Sequence, residues 1–443
     1  MKLLMRGVFW FGLYVFLVTF PLVVAAVGVP RGGSVPFLVN LADGLGYLAL
    51  AMMALELALV SRMDQASGAF GQDALLQFHR GMGLGAVALV LLHPLLLLAS
   101  HAYPVAVLGL GAAVPLPIRL GTFAALTALL LAFTSLLRRR FQMPYEAWRL
   151  LHGLFAVVIL VLVALHVSGV GRFQAALPMR ILGAGYLAIF LGVFLRYRLV
   201  RPLLLWRRPW EVVENRAELG GARTIRVRPV GHAGFAFQPG QFAWVNLGRT
   251  PFHLEQHPIS MSSDGDVAPG GDIAFTIRAL GDWSGEAVPK LCVGQRVWID
   301  GPYGTFSMDR EEGAGYVFIA GGVGITPVAS MLETMASRED SRPVVLFYGA
   351  KTVEDLTLRA ALEALVPRLD LKLVYVIEHP APAWSGEQGF INTDLLRRYL
   401  PKHFVHFQFF VCGPPVLMDL MEVELPSLGV PVDRLHAERF DMV

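Results

Sequence analysis

Five histidines stand in the first half of the chain, His79, His93, His101, His152 and His166, and four of them repeat one spacing. His79 to His93 is 14 residues, and His152 to His166 is again 14. Fourteen residues make nearly four turns of an α-helix, so each pair shares one helix face with its members about 21 Å apart along the axis. Two such helices running in the same direction set His79 opposite His152 and His93 opposite His166. Imidazole is the commonest metal ligand among side chains. Two stacked bis-histidine levels suit two b-type haems, whereas a structural metal ion would need its ligands gathered at one depth. A lone histidine in an apolar helix reads more simply as a hydrogen-bonded interior group. The repeated pair is what points to a redox site. His101 falls beyond the end of its helix and reads as a loop residue.

The elements that carry these histidines are apolar. Of 443 residues 55% are hydrophobic and 16% charged, against about 25% charged in a soluble domain. The average hides a division. Residues 1–206 hold 15 Lys/Arg and 5 Asp/Glu, and residues 207–443 hold 22 and 29. A membrane half is therefore joined to a soluble, acidic half, a charge balance that argues against nucleic acid as a partner. Six stretches approach the roughly 20 apolar residues of a span: 8–28, 37–60, 81–100, 118–137, 150–168 and 178–200. The first is longer than a signal-peptide core and is read as a span. The stretch 105–114 is too short to cross and is read as a loop or re-entrant piece. With both ends inside, eleven basic residues lie on the inner side and four on the outer, as the positive-inside rule requires. This places the chain in the cell's inner (plasma) membrane, surrounded by lipid, with the soluble half cytoplasmic. The two cysteines, Cys292 and Cys412, fit that reducing location. Arg80 and Arg149, beside His79 and His152, either pair with haem propionates or anchor the interface. Glu56, near the end of the second span, is expected to snorkel or to pair with one of these arginines, with no chemistry of its own.

The soluble half changes pattern midway. Short alternating strands are expected at 210–214, 222–230, 241–246, 273–279 and 296–300, separated by Gly/Pro turns, which suggests a small antiparallel β-barrel. From Tyr316 strands alternate with helices: strands at 316–320, 344–348, 371–377, 407–412 and 432–438, helices near 327–337, 353–366, 392–400 and 415–424. That order means an α/β doubly wound parallel sheet. After its first strand comes Gly321-Gly322-Val323-Gly324-Ile325-Thr326-Pro327, whose glycines let a pyrophosphate approach the backbone at a helix N-terminus. Cys412-Gly413-Pro414 ends the fourth strand on the same edge. Cys412 reads either as a buried small hydrophobe or as a residue beside a nicotinamide. Lys351, just after the second strand, stands where a basic group meets the 2′-phosphate of NADPH, with NADH the alternative. Three domains result: 1–206 in the membrane, 207–310 for the barrel and 311–443 for nucleotide binding.

With these motifs in hand, the sequence resembles the NADPH oxidase and ferric reductase superfamily over almost its whole length. The resemblance rests on His79, His93, His152 and His166, on His257-Pro258-Ile259-Ser260, on Arg278-Ala279-Leu280-Gly281-Asp282-Trp283-Ser284, on Gly301-Pro302-Tyr303-Gly304, and on the two nucleotide motifs. It implies FAD bound by His257–Ser260 and by Arg278, Gly281, Asp282, Trp283 and Ser284. It implies NADPH held at Gly321, Gly322, Gly324, Thr326, Pro327, Cys412, Gly413 and Pro414. In the chemistry it implies, Ser260 lies close to the isoalloxazine, Cys412 beside the nicotinamide, and Phe440 covers the flavin face. The function implied is transmembrane electron transfer from cytoplasmic NADPH through FAD and two haems to an outer acceptor. Oxygen giving superoxide is the first acceptor considered, a ferric or cupric chelate the second, and a periplasmic partner protein or quinone the third. Loops 101–118 and 169–180 are the outer sequence long enough to shape an acceptor site, and neither carries a cluster of acidic or Met residues.

Overall fold

Runs of Leu, Val, Ala and Phe with almost no charge fold as six long helices in the first 200 residues, because lipid leaves the backbone no partner but itself. They are α1 (Lys2–Gly28), α2 (Phe37–Val60), α3 (Gln72–Ala99), α4 (Leu116–Leu136), α5 (Tyr145–Val170) and α6 (Leu177–Leu195). The structure is a computed structural model, and it describes residues 2–28, 35–61, 70–101, 104, 108–170 and 176–439. All six helices are long and apolar enough to cross a membrane. Several run past the stretches expected from hydropathy. α3 starts at Gln72 rather than 81, and α5 at Tyr145 rather than 150. Hydropathy marks only the lipid-crossing part, while the hydrogen-bonded helix continues through polar turns at its ends. The correction matters, since His79 lies seven residues inside α3 rather than before it. Prolines punctuate the entries: Pro36 and Pro115 are the N-caps of α2 and α4. His101 follows α3 as an exposed residue with a left-handed backbone, φ 53°. The stretch 105–114 lies partly outside the described residues.

The chain separates into two compact units, Met1–Val200 and Arg201–Val443. In the first, α2 buries small residues, Ala42, Ala49 and Ala54. Small side chains let helix backbones approach closely where no hydrophobic drive exists between apolar helices in lipid. Met52 and Leu55 of α2 pack with Ala86 of α3, Leu160 of α5 and Tyr186 and Phe190 of α6.

The second unit begins with a short helix, α7 (Arg201–Trp206), then six strands: β1 (Trp210–Ala217), β2 (Ala222–Pro229), β3 (Phe242–Asn246), β4 (His257–Ser260), β5 (Ile273–Arg278) and β6 (Arg296–Tyr303). Their order is β4-β3-β6-β1-β2-β5, and every pairing is antiparallel. An antiparallel bridge from Met261 to Phe275 links the ends of this order. Strand β4 was not expected from sequence, because Pro258 interrupts its pattern. Proline is tolerated there because β4 lies at the end of the order, where a missing N–H breaks no ladder.

The remaining strands are β7 (Tyr316–Gly321), β8 (Val344–Ala350), β9 (Leu371–Ile377), β10 (Glu387–Gln388), β11 (Gln408–Cys412) and β12 (Leu435–Glu438), with helices α8 (Ile325–Ser337), α9 (Arg359–Leu365), α10 (Thr393–Tyr399) and α11 (Pro415–Ser427). The order is β10-β9-β8-β7-β11-β12, all parallel. Alternation sends Phe318, Leu346 and Tyr348 to the face covered by α8 and α9. It sends Val317, Ile319, Val345 and Phe347 to the face covered by α10 and α11. One helix is shorter than its pattern. The expected 353–366 is a 3-10 turn, Val353–Asp355, followed by α9 only from Arg359. Leu358 takes a left-handed backbone, φ 60°. Two tertiary bonds hold this segment off the helical path: Thr357 Oγ1 donates to the Leu219 carbonyl at 3.1 Å, and Arg278 pairs with Asp355 at 2.8 Å.

Candidate functional site

Helices α3 and α5 bring the four spaced histidines together as two facing pairs. The His79 and His152 rings have centroids 6.1 Å apart at an interplanar angle of 66°. The His93 and His166 rings are 6.5 Å apart at 79°. A metal bound between two imidazoles at about 2 Å from each nitrogen needs ring centroids about 6 Å apart, so both levels leave room for one iron between their rings.

The remaining ring nitrogens settle which nitrogen would face that iron. His93 Nδ1 lies 2.7 Å from the Ala42 carbonyl, and His166 Nδ1 lies 2.8 Å from the Pro117 carbonyl. A carbonyl only accepts, so each Nδ1 carries the proton and each Nε2 keeps its lone pair. His152 Nδ1 lies 3.1 Å from Ser135 Oγ. That hydroxyl donates to the Leu131 carbonyl at 2.7 Å, so it accepts from the imidazole. Trp148 Nε1 also donates to Ser135 Oγ, at 3.3 Å. His79 Nδ1 meets the Glu56 carboxylate. His93, His152 and His166 donate their second ring N–H as metal-ligating histidines almost always do. The four residues therefore fit as the groups that would hold two haems.

Two glycines seat the His93/His166 level. A Cβ on Gly46 would lie 3.2 Å from His93 Nδ1, and one on Gly121 would lie 2.6 Å from His166 Nδ1. Sequence reasoning passed over Gly46, Gly121, Ser135 and the carbonyls of Ala42 and Pro117. Glycines inside apolar spans were the available signal, since they mark a close approach. Glu56 is corrected: the group it meets is His79 rather than an arginine. Arg80 is exposed on α3, while Arg149 is half-buried on α5.

The expected flavin residues gather on β4, β5 and the turn after β5. Ser260 is buried at the end of β4, in register with Phe242. Pro258 and Ile259 are half-buried on the same strand, with Ile259 against the core of the antiparallel sheet. The His257 and Trp283 rings lie 4.2 Å apart at 35°. Ser284 Oγ accepts from the backbone N–H groups of Leu280 and Gly281 at 2.9 and 3.1 Å, shaping the turn, and Asp282 is exposed on it. Arg278 reaches from β5 to the glycine turn after β7. Its Nη1 stands 3.2 Å from a Cβ built on Gly322, while Nη2 donates to Asp355.

The nucleotide motifs meet where the sheet order reverses. Successive strands run outward from β7 through β8 to β9, and β11 returns to the other side of β7. Such a switch point at strand C-termini is where open α/β sheets bind ligands. Gly322 has φ +54°, a conformation that suits glycine. A Cβ on Gly324 would strike the Cys412 carbonyl, and one on Gly321 would lie 2.8 Å from the Pro414 ring. The two motifs thus pack directly on each other. Gly413 lies 3.6 Å from the Gly321 Cβ position. Thr326 Oγ1 donates to Val323 O at 3.0 Å within the first turn of α8, where Pro327 leaves no interior hydrogen bond unmade. Cys412 is fully buried, with its side chain in the core beneath α8, and burial pushes its thiol well above the ordinary range. Lys351 is exposed at the end of β8, and its carbonyl accepts from His379 N at 2.8 Å. Phe440 lies outside the described residues.

Two families match this chain. The one described as ferric reductase like transmembrane component matches residues 45–163, and the oxidoreductase NAD-binding domain matches 318–422. Among curated proteins, the ferredoxin–NADP reductase B of Sorangium cellulosum is 30% identical, over 51% of this chain and 99% of its own. The xylene/toluene monooxygenase electron transfer component XylA of Pseudomonas putida is 31% identical, over 46% of this chain and 58% of its own. The chain spans about three fifths of the length of that relative and of the similar oxygenase reductase components. Among solved structures, the flavohem-like FAD/NAD binding domain of nitric oxide dioxygenase from Vibrio cholerae is 23% identical, covering 52% of this chain and 97% of that one, with a TM-score of 0.46.

Proposed function

We propose, from the premise that this chain belongs to the NADPH oxidase and ferric reductase superfamily, that it carries electrons from cytoplasmic NADPH across the plasma membrane to oxygen, giving superoxide. The observation that carries the reading is the doubled histidine pair, with an acceptor on Nδ1 of His93, His152 and His166 and the Glu56 carboxylate against that of His79. Bound FAD supplies the change from two-electron to one-electron transfer, and bound haems supply one-electron carriage across the bilayer.

The chain's own residues do the positioning. His79 and His152 hold the inner haem and His93 and His166 the outer, in the orientation that sets the basic residues inside. Ser135 and the carbonyls of Ala42 and Pro117 fix the tautomers of His152, His93 and His166, so that no proton has to leave Nε2 before ligation, and the Glu56 carboxylate stands against His79. Gly46 and Gly121 let the rings seat against α2 and α4. Residues 207–310 hold FAD along β4 and the turn at Arg278–Ser284, with Ser260 placing its hydroxyl at the isoalloxazine. Residues 311–443 hold NADPH, with the N-terminus of α8 and the turn of Gly321, Gly322 and Gly324 drawing the pyrophosphate. Lys351 meets the 2′-phosphate. Gly413 and Pro414 shape the nicotinamide side. The buried neutral thiol of Cys412 serves as a wall of that site through its backbone, not as a nucleophile.

Oxygen is favoured as acceptor because it is small and uncharged and needs no assembled ligand set, and the outer loops carry no acidic or Met cluster that would hold a ferric or cupric chelate. The test is NADPH consumption by purified, haem-loaded protein with oxygen alone, scored by dye reduction sensitive to superoxide dismutase. Turnover that appears only when a ferric chelate or a quinone is added would refute the oxidase reading.

A further inference from the structure

The groups that stand against the four Nδ1 atoms are not alike. At the His93/His166 level both are neutral backbone carbonyls, Ala42 and Pro117. At the His79/His152 level one is the Ser135 hydroxyl and the other the Glu56 carboxylate. Glu56 lies on the α2 face that also carries Ala42, Ala49 and Gly46, the face packed against α3. Its side chain is 13% exposed, and the partner it meets is His79. An ionisable group inside a span is costly and is a functional candidate by default. A glutamine amide, or another carbonyl as at the second level, would satisfy a hydrogen bond just as well. The difference between the levels is therefore one of charge.

We infer that Glu56 is a positioning residue that sets the reduction potential at the His79/His152 level and holds it below that of the His93/His166 level. The inference rests on the haem reading above. A carboxylate held against the Nδ1 edge of the ring draws the Nδ1 proton toward itself and makes Nε2 a stronger donor. Stronger donation and a nearby negative charge both favour the oxidised, more positive iron, and the low dielectric of the bilayer magnifies the effect. Neutral carbonyls at the second level exert much less of it. An electron entering at the inner level then runs downhill to the outer one. The direction of transfer would thus be set by one side chain on a helix that ligates no iron.

The experiment is a redox titration of the purified, haem-loaded full chain, comparing wild type, Glu56→Gln and Glu56→Asp, with haem counted in each. Glu56→Gln is expected to keep two haems and to raise the lower potential by a factor of at least ten in equilibrium constant, 59 mV for a one-electron couple. The upper potential should stay in place, and Glu56→Asp, which keeps the charge, should stay near wild type. Two haems with both potentials unmoved in Glu56→Gln would overturn the inference. A second measurement needs no variant of Glu56. In His152→Ala the potential that disappears must be the lower of the two, and loss of the higher would overturn the inference equally. Fewer than two haems in the wild-type chain would overturn the haem reading itself.

Discussion

Gly121 on α4 sits directly beneath the imidazole of His166 on α5: a Cβ built there would lie 2.6 Å from Nδ1. The ring cannot retreat without breaking its 2.8 Å bond to the Pro117 carbonyl, one turn earlier on the same helix. Gly46 repeats the relationship under His93 with more room, 3.2 Å. One helix thus supplies both the acceptor that orients a ligand and the gap that admits it.

A graded effect follows. Gly121→Val should lower haem content from about two per chain toward about one, because the outer ligand is displaced. Gly46→Ala should keep both haems and weaken outer-haem retention by about 10- to 100-fold, the usual cost of disturbing the groups that orient a ligand. Pyridine haemochrome per polypeptide measures both. Full haem in Gly121→Val would mean that His166 does not ligate in this position.

The pairing makes its own prediction. His93→Ala should lose one haem while flavin reduction by NADPH survives, since the reductase residues lie in the other unit of the chain. Stopped-flow bleaching of the flavin, read beside haem stoichiometry, separates the two. A variant that keeps two haems would break the assigned pairs.

The flavin is expected to be FAD, held without a covalent bond, because the turn at Arg278–Ser284 adds a binding strip beyond what a single phosphate requires. Acid precipitation followed by chromatography of the supernatant identifies it. FMN alone in that supernatant, or flavin left in the pellet, would contradict the assignment.

Much of this was legible in the sequence, for identifiable reasons. The spans and the four histidines announce themselves through hydropathy and a repeated interval, both of which are local properties. The parallel order around β7 follows from alternating strands and helices. What stayed hidden is non-local. The partner of Glu56 depends on how α2 packs against α3, and a positive-inside reading pulled it toward arginines instead. The break before α9 is made by Arg278 and by Leu219, 77 and 138 residues away from their partners. Strand β4 contains a proline and declares itself only through its pairing with β3.

The cysteines should differ sharply in reactivity. Cys292 is exposed and Cys412 buried. Burial raises the Cys412 thiol well above the usual range, so it stays protonated and shielded through neutral and mildly alkaline pH, and the thiolate is the reactive form. Iodoacetamide at pH 8 should add one carbamidomethyl group to the folded chain, at Cys292, and a second only after denaturation. Peptide mass spectrometry assigns the sites. Rapid labelling of Cys412 in the folded chain would show that the motif opens to solvent.

The choice between NADPH and NADH turns on Lys351. It stands exposed just past the end of β8, where a basic group meets the 2′-phosphate. A carboxylate at this place favours the bare ribose of NADH; the acids that follow are Glu354, which is exposed, and Asp355, which is paired with Arg278 at 2.8 Å. Both acids come later in the chain than Lys351, which is the basic group expected to distinguish the cofactors. A charge-assisted contact is worth about 1.5–3 kcal/mol, or about one to two orders of magnitude in affinity. Lys351→Ala should raise the apparent constant for NADPH on that scale and leave NADH nearly unchanged. Steady-state reduction of a soluble dye by each nucleotide gives both constants. Equal losses with the two cofactors would show that Lys351 does not read the phosphate.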